Sequence, residues 1–475
     1  MSDHNNLQTH FGSSLTVREK RFDSEIYKQI NVKIGDITAA LQNISDTGVA
    51  LFSEVKFDAN EEKTMSISMT EDYTLQLKGR VIWQRPEGQG YMCGFHFNNQ
   101  YLTEGFLEAF AHVIDIKNAV NTEVETYLGL NHDFRNLTYE IKMYLESVKS
   151  KLDQLEQKIN VSSASVKNSY KEVIKATFEK PFVDQVKLYS KKLDQLFTSF
   201  KDKEVKHRHK MFFREQVGPY YTNNPFIGRA LVKPRGYAGD YEMMNQIYRD
   251  NYEGNNFFEI LMHRYGINES SSNSVKYRRG YLCDKIMSLS KGKSHFTFGS
   301  VASGPAQEVL EFLSKVTPED SSRYSIFLID QDIEALLNAK RNCYEKILSR
   351  DLKCKIEFVP VAVKQIIEQA PEADILKQIK FDFVYTAGLY DYLTQPVAQI
   401  LTKNVLDLVQ PDGHMIIGNF HPNNPTKTIS ELVADWKLIH RNEEDMEGLV
   451  ALAQVKKTSI HHDPERIDLF LEIYK

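Results

Sequence analysis

The chain has 475 residues, 41% of them hydrophobic and 26% charged, with a formal net charge of -5. That length supports two or three domains, each with its own core, and the slight acidic excess excludes a general electrostatic drive toward nucleic acid. The four cysteines, Cys93, Cys283, Cys343 and Cys354, are spaced for neither a zinc site nor a disulfide framework, so no metal and a reducing compartment are expected.

The opening residues, MSDHNNLQTHFGSS, lack the basic and apolar regions of a signal peptide, and no later stretch reaches membrane-spanning length. A soluble, cytoplasmic protein without an integral membrane segment is expected. Over residues 12–100, short runs with partial alternation (VALFSEVKF, KTMSISM, YTLQLKGRVIWQR, GYMCGFHF) alternate with polar or glycine-containing turns and predict a small β barrel. Within it, Asn43-Ile44-Ser45-Asp46-Thr47-Gly48 resembles the N/D-x-S-x-x-G signature of the PilZ family, and LKGRVIWQR with GYMCGFHF resembles its later strand pair. The resemblance implies cyclic di-GMP as a ligand, held by Asn43, Ser45 and Gly48 together with an arginine pair ahead of the barrel. Guanidinium forks suit guanine and phosphate. The candidates are Arg18 and Arg21 in VREKRF, spaced R-x-x-R, one residue shorter than the family's pair. A ligand-free docking barrel is the competing reading.

Residues 101–205 read as a helical linker or bundle. Ile141, Leu145, Val148, Leu152, Leu155 and Ile159 recur at three- and four-residue steps, and Val183, Val186, Leu193, Leu196 and Phe200 continue similar faces. An intramolecular bundle and a homodimer seam both bury such a stripe. Residues 206–280 then read as a helical cap on the substrate side, rich in aromatic residues and isolated cations around KPRGYAGDYEMM. Tyr237 is a candidate for covering an adenine or an apolar substrate, and Arg278 for meeting a substrate carboxylate. The serine-rich tract NESSSNS, Asn268 to Ser274, is expected to be a surface loop.

From residue 281 the pattern becomes α/β. A β-prone run from Phe296 enters a turn of small residues, Ala302, Ser303, Gly304, Pro305 and Ala306, and a helical pattern starts at Gln307. A second strand ends at Asp330-Gln331, a third opens at Thr386-Ala387-Gly388, and LDLVQPDGHMIIGNF reads as helix end, Pro411–Gly413 turn and strand. Small residues let a ligand approach main-chain N–H groups at a helix start, and a carboxylate at the next strand end suits a ribose diol. The same acid would suit the ribose of a nicotinamide dinucleotide.

The ordered set of segments over 281–475 resembles a class I S-adenosylmethionine-dependent methyltransferase. In that resemblance Ala302–Ala306 is the glycine-rich loop, with alanine at 302 and 306 where glycine is usual, Asp330 is the ribose-binding acid, and Thr386–Leu389 lies beside the methyl group. KPRGYAGDYEMM, SVASGPAQEV, TAGLYDYL and GNFHPNNPT together resemble, over residues 207–475, the bacterial group that includes proteins of 3-hydroxypalmitic acid methyl ester biosynthesis.

The expected architecture is thus multidomain: a β barrel, a central helical region and a Rossmann-like methyltransferase domain. The expected function is cyclic di-GMP-responsive methyl transfer from S-adenosylmethionine to a carboxylate or hydroxyl of a small or lipid-like acceptor. Tyr392 is the expected substrate wall. His421 is the candidate base for a hydroxyl, because its reference pKa lies near neutrality. The competing class is a noncatalytic nucleotide-sensing or docking protein with a methyltransferase-like domain.

Overall fold

A computed structural model describes residues 30–59, 61–70, 73–98 and 106–475. The chain divides into two compact units between Gly129 and Leu130. In the first, β1 (Asn31–Ile34), β2 (Ile37–Ile44), β3 (Gly48–Ser53), β4 (Glu62–Ser68), β5 (Thr74–Glu87) and β6 (Gly90–Phe97) close a barrel in the order β1-β2-β3-β6-β5-β4. Every neighbouring pair is antiparallel. Alternation drives the closure: in β5, Leu77, Gly79 and Val81 are buried while Gln76, Lys78 and Arg80 are exposed. Val32, Leu41, Leu51, Met65, Ile67 and Phe95 fill the interior, and the helix Phe106–Leu128 adds Leu107 to it. Register shifts between Leu41 and Asn43 and between Val81 and Trp83 bend their strands, as closing so small a barrel requires.

The second unit begins with long helices at His132–Ile159, Ala164–Thr177, Glu179–Ser199 and Lys203–Thr222. The apolar stripe of Ile141, Leu145, Val148, Leu152, Val183, Val186 and Leu193 is buried in one core with Phe213, Tyr221, Phe258 and Met262 from the following helices, and with Leu432 and Val433 from the helix Lys427–Ala434. These positions therefore pack within the chain.

The serine-rich tract departs from expectation. It is no surface loop: Glu269 is the N-cap of a helix running Ser270–Leu289, and Ser272 and Ser274 are buried. Small hydroxyl side chains fit here because they bond locally while letting the helices approach, as when the Ser272 hydroxyl donates to the Gly266 carbonyl.

A seven-stranded sheet follows: β7 (Phe296–Val301), β8 (Tyr324–Ile329), β9 (Lys355–Val359), β10 (Phe381–Ala387), β11 (Val409–Phe420), β12 (Lys457–His462) and β13 (Asp468–Tyr474), in the order β12-β13-β11-β10-β7-β8-β9. Only β13 runs antiparallel to both its neighbours. β7 is buried throughout and β10 along nearly all its length, as parallel strands covered on both faces should be. One face is covered by Val309, Phe312, Leu336 and Ile286, the other by Ala398, Leu401, Val405 and Ile366. This strand order with a reversed last strand is a methyltransferase-like α/β fold. Pro411–Gly413, expected as a turn before the strand, lies inside β11 as a bulge: Phe381 pairs with Val409 and Phe383 already with His414. The chain order reverses between β7 and β10, so a crevice opens beyond their carboxyl ends.

Candidate functional site

One side of that crevice is the turn after β7. Ala302, Gly304 and Ala306 all have left-handed backbones, with φ of 55°, 51° and 51°. Glycine adopts this conformation freely, whereas each alanine strains in it, by about 1–2 kcal/mol. The turn is held by Ser303 N–H donating to the Ile329 carbonyl at 3.1 Å and Ala306 N–H to the Ser303 carbonyl at 3.0 Å. Asp330 fixes it from the end of β8: its Oδ2 accepts from Gly304 N–H at 2.7 Å and its Oδ1 from Asp332 N–H at 2.8 Å. Burial raises the Asp330 carboxyl above its ordinary pKa, although these N–H groups favour the ionised form.

The other side follows β10. Gly388 has φ 85°, and a Cβ there would lie 3.1 Å from Nη1 of Arg278, so glycine makes room for the guanidinium. Arg278 reaches the Met244 sulfur at 3.7 Å, and Tyr248, Asp468, Glu308 and Asp391 act on its buried charge without an ion pair within 4.0 Å among the described residues. Tyr392 donates to the Ala238 carbonyl at 3.0 Å and accepts from Trp436 Nε1 at 2.9 Å. Tyr237 and Arg235 both reach Asp332, at 3.2 and 3.1 Å, which pins the KPRGYAGD loop to the start of the helix Ile333–Ser349.

A cavity of about 420 Å³ joins the two sides. Ala302, Ser303, Gly304, Pro305, Asp330, Gln331, Ala387, Gly388, Tyr237, Arg278 and Tyr392 all line it. Thr386 does not: it is buried in β10 with its hydroxyl unpartnered. Nor does His421. Its Nδ1 accepts from Asn423 N–H at 3.1 Å and its Nε2 lies 3.5 Å from Glu443, on the turn that leaves β11.

The cavity wall also holds groups that sequence reasoning missed. Asp391 is fully buried, accepts from Phe420 N–H at 2.8 Å, and is pushed up to about 6 by desolvation. It lies in TAGLYDYL between Tyr390 and Tyr392, where the sequence pattern points to aromatic packing and not to a buried carboxyl. Glu269, Tyr221 and Trp436 line the cavity as well; Glu269 had been hidden inside the serine-rich tract.

The turn offers what an adenosyl cofactor needs: open space beside Gly304, the buried and unpartnered hydroxyl of Ser303, and a carboxylate with lone pairs left over. Among the described residues no cluster of three or more His, Cys, Asp or Glu side chains could hold a metal ion, and no helix is long and apolar enough to cross a membrane.

In the barrel, Ser45 donates its hydroxyl to the Gly48 carbonyl at 3.2 Å and its N–H to the same oxygen at 2.8 Å, closing the β2–β3 hairpin. A Cβ on Gly48 would lie 2.3 Å from the Phe95 carbonyl, which excludes any other residue. Asn43 lies at the bulge in β2. Arg18 and Arg21 lie outside the described residues.

Residues 16–109 match the PilZ domain family. No curated protein matches the chain. Among solved structures, the chain is similar to an exported-protein candidate from Bordetella parapertussis at 13% identity, covering 66% of this chain and 99% of that one with a TM-score of 0.41. It is also similar to magnesium protoporphyrin IX methyltransferase from Synechocystis PCC 6803 with bound S-adenosylhomocysteine, at 10% identity, 56% and 99% coverage and a TM-score of 0.35. The N-methyltransferase NodS from Bradyrhizobium japonicum WM9, likewise in complex with S-adenosyl-L-homocysteine, is 13% identical, with 44% and 89% coverage and a TM-score of 0.30.

Proposed function

We propose that the chain is an S-adenosylmethionine-dependent methyltransferase acting on a small or lipid-like acceptor, with a barrel that binds cyclic di-GMP and regulates turnover. The observation that carries the methyltransferase reading is the continuity of one cavity from the Ala302–Pro305 turn and Asp330 to an apolar chamber walled by the helical cap. Ala302–Pro305, Asp330 and Gln331 would hold the cofactor, which when bound supplies a methyl group already activated by the sulfonium centre.

The chain's own work is then to orient the acceptor and exclude water. Arg278, facing the cavity beside Gly388 with no direct ion pair among the described residues, would fix an acceptor carboxylate, which is already ionised at neutral pH. For a hydroxyl acceptor, Asp391 is the proton acceptor in place of His421: it lines the cavity, and burial sets its carboxyl near 6. Tyr392, held by Ala238 and Trp436, would form the rigid wall between cofactor and acceptor.

Calorimetry with S-adenosylmethionine tests the cofactor site, and release of S-adenosylhomocysteine on adding carboxylate or hydroxyl acceptors tests the reaction. Cofactor binding with no acceptor-dependent release from any of them would instead favour a nucleotide-sensing module.

A further inference from the structure

Within the apolar chamber two buried polar atoms, on Glu269 and Tyr221, have no hydrogen-bond partner. Glu269 is 6% exposed; its Oε1 accepts from the Tyr265 hydroxyl at 3.0 Å, while its Oε2 is buried without a partner. It sits at the N-cap of the helix Ser270–Leu289 but makes no side-chain capping bond. Tyr221 is fully buried, its hydroxyl also unpartnered, with its ring centroid 6.0 Å from that of Tyr265. Both Glu269 and Tyr221 line the cavity. Buried polar groups are almost always hydrogen-bonded, and each exception calls for a missing partner.

We propose that Glu269 and Tyr221 form a head-group site for an acceptor whose apolar body carries, at the end remote from the methylated atom, a hydrogen-bond-donating group such as a hydroxyl or an amine. Oε2 of Glu269 accepts from that group and the Tyr221 hydroxyl completes its hydrogen bonding. Phe226, Ile227, Val275, Ile429 and Val433 line the same cavity and suit an apolar body. Arg278 lies nine residues beyond Glu269 on one helix, so the two polar ends are separated by ~13 Å along its axis. Desolvation pushes the Glu269 carboxyl up to about 7, against the Tyr265 hydroxyl, the Lys187 charge and the Ser270 N–H, which favour the ionised form. Which end is methylated rests on the proposed cofactor site; the head-group site itself does not.

The test uses the full chain and three probes of one length, decanoate, 10-hydroxydecanoate and 10-aminodecanoate, with binding read by calorimetry and S-adenosylhomocysteine release read separately. The hydroxyl or the amine should tighten binding over decanoate by about tenfold, the contribution of one well-made buried hydrogen bond. Glu269→Leu and Tyr221→Phe should each erase that preference. Tyr221→Phe removes a hydroxyl with no partner in the protein, so a purely structural role leaves the preference intact while the head-group role loses it. The proposal is overturned if neither substituted probe binds more tightly than decanoate, or if the preference survives both variants. Preferential binding without any S-adenosylhomocysteine release retains the head-group site and sinks the methyltransferase reading. Release without preference does the reverse.

Discussion

Asp330 joins two roles that mutation should separate. Asp330→Ala removes the acceptor for Gly304 N–H as well as the proposed ribose contact, so it should weaken S-adenosylmethionine by roughly 1–3 kcal/mol and lower the melting temperature. Asp330→Asn keeps one oxygen for the turn, and calorimetry should find it intermediate in affinity. Unchanged affinity in both would remove the residue from the cofactor site. Gly388 offers a sharper separation. In Gly388→Ala the new methyl, at φ 85°, displaces Arg278, so turnover should fall more than cofactor affinity does. An equal loss in both would place the defect in the fold. At Ala302 the opposite change relieves strain: Ala302→Gly should raise the melting temperature, by about 1 kcal/mol of stability at most, because the left-handed backbone no longer opposes a Cβ.

The elements show what a sequence can and cannot transmit. The ends of β7 and β8 and the start at Gln307 were legible because small residues, alternation and a helical period change abruptly there. Glu269 was not legible: a lone carboxylate among serines has the composition of a solvated loop, and only the packing of Phe257–Asn268 against its neighbours buries it. His421 is the converse case, since a histidine after a strand near the site carries no signal of which way its ring is turned.

A pairing between elements was equally hidden. Asp435, just past the helix Lys427–Ala434, bonds Lys210 and Arg214 from the helix Lys203–Thr222. Those partners hold its carboxyl well below the usual carboxylate range. A depressed folded-state pKa gives stability that is present above the unfolded value, near 4, and is lost as pH falls through the lower folded one. Asp435→Asn should therefore melt on the order of 2 °C lower at pH 7, a small effect because the pair is partly exposed. The gap should close in strong acid; a gap independent of pH would rule out the ionic account.

For the whole molecule the open question is coupling. If the barrel controls the cavity, cyclic di-GMP must shift S-adenosylmethionine affinity or turnover, and by linkage S-adenosylmethionine must shift cyclic di-GMP affinity by the same factor where binding is concerned. Calorimetry should show saturable cyclic di-GMP binding that weakens in an Arg18→Ala/Arg21→Ala double variant whose barrel stays folded. Absence of binding at micromolar ligand would return the barrel to a docking role. Binding that leaves both cofactor affinity and turnover unchanged would keep recognition and remove regulation.

The place of β13 has a consequence for how such a chain is made. It inserts between β11 and β12 although it follows both in sequence, pairing His414 with Tyr474 at one end and Phe420 with Asp468 at the other. During folding the edge of β11, with its apolar Met415, Ile416 and Ile417, stays unpaired until residues 468–474 arrive. Until those residues pair, a folding intermediate exposes an open strand edge beside apolar side chains, the surface on which unfinished sheets join one another.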